Sequence, residues 1–389
     1  MSADDAAERA RDRLVDRLLD EGAVESPVVE KALRAVPRHR FLPDAGVEEA
    51  YADRPVVVKR SAGGAPLSSA SQPTIVASML ERLAVRPGDR VLEIGTGSGY
   101  TAALLRELTG ADGEVTTVDV DPDLAAAARE RLGAAATVVA ADGAAGHAAG
   151  APYDRIIVTT GAWDVPPAWW DQLADDGRIV VPLRWRGMTR SVALVRDGDR
   201  LVARSADACG FLPMRTADGE RSLDLVADGR VRLVHDEDQA VGADALAAVL
   251  DRPRAETWSG VHVTGSDAVH AVWLRLAAAE PGTCALAARP AAIDGGLVSP
   301  ALPGTSPAVV DGPSLAYLAT RPAGPDLAEL GAIGHDSGDL TDRMADQIAL
   351  WHEAAPAPLL TVHRAGAEPP KPERGTVVRK RHTTLVLSW

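Results

Sequence analysis

A glycine-rich loop carries the strongest chemical signal in this chain. Val91-Leu92-Glu93-Ile94 is a short apolar run, and Gly95-Thr96-Gly97-Ser98-Gly99-Tyr100 leads directly from it into a helix-forming segment. Glycines let a backbone pass within contact distance of a ligand, and the helix N-terminus beyond them offers unpaired N–H groups. A dinucleotide site spaces its glycines G-x-G-x-x-G around a pyrophosphate, whereas the spacing here is E-x-G-x-G-x-G. Asp119 closes the next apolar run, 20 residues after Gly99, where a carboxylate can hold both hydroxyls of a ribose. Asp142, in Ala141-Asp142-Gly143 after a third run, can accept from an adenine amino group. The candidate cofactor-binding residues are therefore Glu93, Gly95, Thr96, Gly97, Ser98, Gly99, Asp119, Val120, Asp142 and Gly143. The alternative for the two aspartates is that they only cap turns.

The elements that must position these residues follow from periodicity. Val91 to Ile94, Val115 to Val118, Thr137 to Ala140, Ile156 to Val158 and Ile179 to Val181 are short, β-branched runs of the kind buried on both faces of a parallel sheet. Helix-forming segments such as Ala102 to Leu108 and Leu124 to Leu132 separate them, which predicts repeated βαβ units and a doubly wound sheet. Ser191 to Arg196 and Arg200 to Ala203, joined by Asp197-Gly198-Asp199, predict a closing hairpin. Leu14 to Leu19 and a segment opened by Ser26-Pro27 predict two N-terminal helices, and a third runs through Ile75 to Leu83 after a Pro/Gly/Ser-rich stretch from 55 to 73. With the glycine spacing, this order resembles class I S-adenosylmethionine (SAM)-dependent methyltransferases. The expected fold is α/β, a doubly wound, Rossmann-like class I sheet over residues 1–214, with a C-terminal α+β domain over 215–389. The second part mixes strand-like runs (Arg230 to Val234, Thr283 to Ala287, Leu359 to His363, Thr383 to Ser388) with helical ones (Asp267 to Ala279, Leu340 to Trp351), and a proline-rich linker covers 367–375.

Composition narrows the function classes. The net charge of −14 and the absence of long Lys/Arg blocks argue against nucleic acid as a partner. Two cysteines, Cys209 and Cys284, make no disulfide framework, and no zinc-ligand spacing occurs, so no metal is expected. A charged first segment and the lack of a long apolar run lead us to expect a soluble, cytoplasmic protein with no membrane partner.

Further motifs give a specific resemblance. Val36-Pro37-Arg38-His39-Arg40-Phe41-Leu42-Pro43, Ala50-Tyr51-Ala52-Asp53, Ser71-Gln72-Pro73, the glycine loop, Asp142-Gly143 with Gly146, Ala151-Pro152-Tyr153-Asp154 and Gly177-Arg178 stand in an order similar to that of protein-L-isoaspartate O-methyltransferases, over roughly residues 25 to 205. The resemblance implies SAM as cofactor. It also places Ser71, as the catalytic residue, between the SAM methyl and the substrate carboxylate. The chemistry agrees. A carboxylate with an ordinary pKa of about 4 is already a nucleophilic anion at neutral pH, so the site must supply alignment and dryness instead of a base. A helix N-cap is the alternative for Ser71, and a structural histidine is the expectation for His39.

Two departures from the family pattern bear on substrate. The short G-x-G-Q-T lead into the serine is replaced by the stretch Val58 to Ala70, and the chain continues beyond 214 to 389. This arrangement resembles the branch acting on ribosomally made peptide natural products, in which an Asp side chain of a lanthipeptide or graspetide is methylated and the ester closes to an aspartimide. The resemblance implies a precursor peptide, macrocyclised, as partner. Ser69 in the rebuilt stretch, Trp163 near the C-terminal edge of the sheet and Arg184 after the fifth strand are the candidate substrate-binding residues, with core packing and a solvated surface as the alternatives for the last two. Repair of isoaspartyl proteins by an enzyme with an added domain, and a non-catalytic SAM- or peptide-binding subunit, are the competing functions.

Overall fold

A computed structural model describes residues 3–215, 219–369 and 371–389. The described residues form two compact units, one running up to Leu183 and from Thr189 to Arg215, the other comprising Arg184–Met188 and Gly219–Trp389.

The first unit opens with helices α1 (Ala3–Asp20), α2 (Pro27–Ala35) and α3 (Val47–Ala50). Ser26 caps α2 by accepting from Val29 N–H, with Pro27 in the first turn, as its sequence predicts. The stretch from 55 to 73 differs from expectation. It folds as a hairpin of β1 (Val56–Arg60) and β2 (Pro66–Ala70), antiparallel with Val56 opposite Ala70 and irregular between Val57 and Arg60. Three consecutive valines favour the strand.

Helix α4 (Pro73–Leu83) then leads into the alternating series: β3 (Arg90–Ile94), α5 (Tyr100–Thr109), β4 (Glu114–Asp119), α6 (Pro122–Leu132), β5 (Thr137–Ala140), β6 (Tyr153–Val158), α7 (Pro167–Gln172), β7 (Leu173–Trp185), β8 (Met188–Asp197) and β9 (Arg200–Ala208). Within this unit the strands lie in the order β9-β8-β7-β6-β3-β4-β5. The pairs β3/β4, β4/β5, β3/β6 and β6/β7 are parallel, and β8/β9 is the antiparallel hairpin. The chain leaves β3 for β4 on one side and reaches β6 on the other, so the C-terminal ends of β3, β4 and β6 flank a switch point, where open α/β sheets form their ligand crevice. Leu104, Leu105, Val91, Met79, Leu80 and Leu83 are in the core beneath it.

The second unit is built on a seven-stranded antiparallel sheet, in the order β10 (Glu220–Asp224), β11 (Val231–Asp236), β13 (Thr283–Ala288), β14 (Gly304–Asp311), β15 (Ser314–Gly324), β16 (Leu327–His335) and β12 (Arg254–Val263). Helices α8 (Asp267–Ala279), α9 (Pro290–Asp294) and α10 (Leu340–His352) accompany it, and β19 (Thr383–Ser388) pairs antiparallel with both β17 (Leu359–Arg364) and β18 (Gly375–Arg379). Helix α10 packs on β12, β15 and β16. Of the proline-rich segment 367–375, Pro370 lies outside the described residues, as do 216–218 at the expected boundary after 214.

Candidate functional site

Strand β3 delivers the glycine loop to the crevice. Gly95 N–H donates to the Val118 carbonyl at 2.8 Å, tying the loop to the end of β4. Gly95 and Gly97 have φ of +101° and +51°. A Cβ at Gly95 would stand 2.7 Å from Thr159 Oγ1, so the position has neither the backbone freedom nor the room for a side chain. Asp119 braces the same loop from β4. Its Oδ2 accepts from Gly97 N–H and its Oδ1 from Asp121 N–H, each at 2.9 Å.

These residues line a cavity of about 380 Å³ that lies wholly within the first unit. Gly95, Thr96, Gly97, Ser98, Asp119, Val120, Asp142 and Gly143 are in its wall, together with Ser69 and Ser71. Val120 is an exposed apolar side chain there, 43% accessible. The exposed Asp142 accepts from Ala144 N–H at 2.9 Å and so caps its own turn, while a Cβ on Gly143 would lie 2.5 Å from Ile94 Cγ2.

Ser71 precedes α4 without capping it. Asp53 takes that role, accepting from Thr74 N–H at 2.9 Å, Thr74 Oγ1 at 2.7 Å and Gln72 Nε2 at 2.9 Å. The Ser71 hydroxyl has no protein partner among the described residues, and Ser71 is a half-buried residue of the cavity wall. Its carbonyl accepts from Arg38 Nη2 at 2.8 Å. His39 shares a 2.9 Å hydrogen bond with the Tyr51 hydroxyl, and burial lowers its pKa.

Four expected site residues are not in the cavity wall. Glu93 is fully buried beneath the loop, where its Oε2 accepts from Thr117 Oγ1 at 2.6 Å, and Thr117 Oγ1 in turn meets Thr96 Oγ1 at 2.7 Å. Burial pushes the Glu93 carboxyl up to about 8, which favours its protonated form beneath the loop. Gly99 caps α5 with φ +89°, a conformation that favours glycine, and sits in van der Waals reach of Leu132 and Ala128 of α6. Trp163 is 2% exposed and belongs to the core, as do its neighbours. Trp169 Nε1 donates to the Gly143 carbonyl at 2.8 Å and Trp170 Nε1 to the Val165 carbonyl at 3.3 Å. Arg184 belongs to the second unit and is paired with Glu220. Beside it, Arg186 N–H donates to Asp236 Oδ2 at 2.8 Å and a Cβ on Gly187 would collide with Ala285, so 184–188 is built into that unit. Cys209 and Cys284 are inert thiols, each pushed up to about 12 by burial.

The cavity also has walls that sequence reasoning did not assign. Phe211, Leu212, Pro213, Met214 and Arg215 line it, held by Gly161 N–H on the Leu212 carbonyl (2.8 Å) and Met214 N–H on the Gly161 carbonyl (2.9 Å). Lys59 of β1 bonds Asp121 at 2.7 Å and Asp123 at 2.9 Å, and Arg215 stands 3.6 Å from Asp121 while donating to the Leu67 carbonyl at 3.3 Å. Arg38 lines the cavity with no solvent exposure. Among the described residues no group of His, Cys, Asp and Glu is arranged to hold a metal ion, and no helix is long and apolar enough to cross a membrane.

The comparisons with known proteins agree with this geometry. Residues 9–219 match a family model described as protein-L-isoaspartate(D-aspartate) O-methyltransferase (PCMT). A protein-L-isoaspartate O-methyltransferase of Methanopyrus kandleri is 40% identical over 227 residues, covering 56% of this chain and 97% of its own. One from Methylorubrum extorquens is 40% identical over 209 residues, 53% of this chain and 88% of its own. A solved protein-L-isoaspartate O-methyltransferase, 20% identical, shares the fold with a TM-score of 0.50 over 90% of this chain and 96% of its own.

Proposed function

The chain belongs to the protein-L-isoaspartate(D-aspartate) O-methyltransferase family, and within it we propose an enzyme that esterifies the side-chain carboxylate of an Asp in a ring-constrained, ribosomally made peptide, the ester then closing to an aspartimide. The fold is that of class I SAM-dependent methyltransferases, the activity is SAM-dependent O-methylation of an (iso)aspartyl carboxylate, and SAM is the methyl donor.

The cavity fits that donor. Gly95 and Gly97 put bare backbone in the cavity wall, and Asp119 spends only part of its acceptor capacity on Gly97 and Asp121, which leaves lone pairs for two ribose hydroxyls. Val120 supplies an apolar face, and Asp142 an acceptor for an exocyclic amine. When bound, SAM supplies a methyl group on a positively charged sulfur. Everything else falls to the chain. On this reading Ser71 orients the acceptor carboxylate with its unpartnered hydroxyl, and the β1–β2 hairpin and the 211–215 segment supply the walls beside it. No residue is needed as a base, in keeping with the structural bond of His39.

The rebuilt hairpin carries the finer reading. Leu67, Ser68 and Ser69 of β2 lie along the cavity beside Ser71, so the stretch that departs from the family pattern lies where the acceptor peptide must enter. A preorganised ring loses less freedom on docking against such a wall than a flexible chain does. The second unit is a weaker argument, because the fold shared with a solved isoaspartyl methyltransferase extends well beyond the first unit. That likeness, with the relatives, favours isoaspartyl repair as the second reading. The test is methylation by the full chain of a macrocyclic Asp-containing precursor peptide, its linear form and an unrelated isoaspartyl peptide, followed by mass spectrometry. The proposal expects the ring to be preferred about ten-fold or more, with subsequent loss of one water from the starting peptide. Equal rates on all three, or a preference for the isoaspartyl peptide, would hand the function to repair.

A further inference from the structure

A single carboxylate of the first unit receives cations from two separate stretches of the cavity wall. Asp121 is 6% exposed and caps α6, its Oδ1 accepting from Asp123 N–H at 3.1 Å and from Leu124 N–H at 3.4 Å. Lys59 Nζ, from β1 of the hairpin, donates to the same oxygen at 2.7 Å and to Asp123 Oδ2 at 2.9 Å. Arg215, from the 211–215 segment, places Nη1 3.6 Å from Asp121 Oδ2, and its Nη2 donates to the Leu67 carbonyl of β2 at 3.3 Å. Burial opposes the charge on Asp121, but the bonds from Lys59 and the α6 N–H groups outweigh it and hold the carboxyl below its ordinary value. The node is therefore ionic at neutral pH. Without this carboxylate Lys59 would keep the exposed Asp123, and Arg215 would have no carboxylate within 4 Å among the described residues.

The place of this node in the site gives it a role. Asp121 follows the ribose candidate by two residues, and its N–H donates to Asp119 Oδ1 at 2.9 Å. Lys59 pairs across the hairpin with Ser68, and Ser68 and Ser69 line the cavity beside Gly97 of the glycine loop. The hairpin is rooted next to Ser71, where Arg38 Nη2 donates to the Ser71 and Ala70 carbonyls at 2.8 and 3.5 Å, so Lys59 and Leu67 fasten its outer part. We propose that Asp121 is a positioning residue that couples the donor and acceptor sites: a ribose bound at Asp119 orders, through the Asp121 carboxylate, the hairpin and the 211–215 segment against which the acceptor docks. This rests on SAM as donor, with Asp119 on its ribose. A ribose on Asp119 restrains the turn from Asp119 to Asp121, and walls ion-paired to that turn lose freedom with it. The acceptor then meets ordered walls and gives up less freedom in docking. By linkage, an acceptor in place strengthens donor binding by the same factor. Methyl transfer needs oxygen, methyl carbon and sulfur in line, and the node ties the chain that holds one substrate to the chain that faces the other.

The test uses the full chain with S-adenosylhomocysteine (SAH) as the probe. Amide hydrogen exchange is followed by mass spectrometry in the glycine loop, in residues 56–70 and in residues 211–215, with and without saturating SAH. In wild type, SAH should slow exchange about three-fold or more in all three regions. Asp121→Asn keeps an α6 cap and the backbone N–H to Asp119 while removing the charge. It should bind SAH within about ten-fold of wild type and protect the glycine loop as before, but lose most of the added protection at 56–70 and 211–215. Lys59→Met should lose it chiefly at 56–70, and Lys59→Arg should retain it. Wall protection that survives both Asp121→Asn and Lys59→Met overturns the proposal. So does an equal loss of protection in the glycine loop, which would leave Asp121 as a helix cap and nothing more. Should Asp121→Asn fail to fold, Lys59→Met against Lys59→Arg decides. SAH that protects the glycine loop of wild type but not the walls overturns the coupling and leaves the donor reading standing, whereas SAH that protects neither sinks both.

Discussion

Asp119→Ala tests the cofactor side of the site most directly. The carboxylate closes β4 at the cavity wall, and about half of its roughly four lone-pair positions are used by Gly97 and Asp121 N–H groups. Two ribose hydroxyls on the remainder would be charge-assisted bonds worth about 1.5–3 kcal/mol each, so the gross loss in Asp119→Ala is about 3–6 kcal/mol. Water entering the vacated space recovers part of this, and a net loss of about 3 kcal/mol corresponds to binding weaker by about a hundred-fold. Isothermal titration with SAH reads this directly. Asp119→Asn separates ligand contact from loop support. It keeps one carbonyl oxygen, turns an amide toward one of the two backbone donors, and should fall between wild type and Asp119→Ala. Affinity of Asp119→Ala within about three-fold of wild type would refute the assignment of this strand end to the ribose. If both variants lost affinity only in step with a large drop in thermal midpoint, the brace on Gly97 would be the whole of the effect.

Ser71→Ala should keep SAH affinity and the thermal midpoint, because Asp53 and not Ser71 caps α4, while turnover falls by about ten- to a hundred-fold because the acceptor carboxylate is no longer held in line with the methyl. Titration, thermal melting and steady-state kinetics on one preparation check it, and a parallel loss of SAH binding would place the serine in the cofactor site. Glu93→Gln should flatten the pH dependence of stability. The wild-type carboxyl holds its proton up to about 8 in the folded chain but only to its ordinary value of 4.5 when unfolded, so between these the unfolded chain binds fewer protons and stability falls as pH rises, by up to about 1.4 kcal/mol per unit. Thermal midpoints from pH 5 to 8 should therefore decline less in Glu93→Gln, which should be the more stable form at pH 8 and bind SAH as wild type does. Parallel curves would mean that the buried carboxyl is ionised.

The parallel sheet was legible because its strands are dense in β-branched residues and its loops are marked by glycine and aspartate. The inward half of the site was legible for the same reason, since Gly95, Gly97, Asp119 and Asp142 all follow directly from strand ends. Periodicity cannot say whether an acid one residue from the end of a doubly buried strand reaches the ligand or underlies the loop, and Glu93 is the second case. Arg184 looked like a free cation because the carboxylate that pairs with it, Glu220, is 36 residues further on. Arg38 gave no spacing signal for a related reason. Its partners are carbonyls 12 to 33 residues away, and carbonyls have no residue type to be read.

The β1–β2 hairpin shows why substrate choice was harder to read than cofactor. Its sequence is rich in Ser, Gly and Pro and looks like loop, yet it pairs as two strands and meets the cofactor edge of the sheet at Gly97 and, through Lys59, at Asp121 and Asp123. Asp121, two residues beyond the ribose candidate, caps α6 and also receives Lys59 from the hairpin and Arg215 from the 211–215 segment. Arg215 in turn donates to Leu67 of β2. The hairpin and the 211–215 segment, both in the cavity wall, are thus tied to each other and to the strand end that carries Asp119. On the proposed reading a peptide docks beside Ser71 against these two walls, and the residues that differ from the family pattern then bear on which carboxylate is accepted. The glycine loop is held from below by Gly95 against Thr159 and by Asp119 on Gly97, while Ser68 and Ser69 of the hairpin lie against Gly97 from the other side, so a change in the hairpin that alters substrate choice must leave those two residues in place if the loop is to keep its shape.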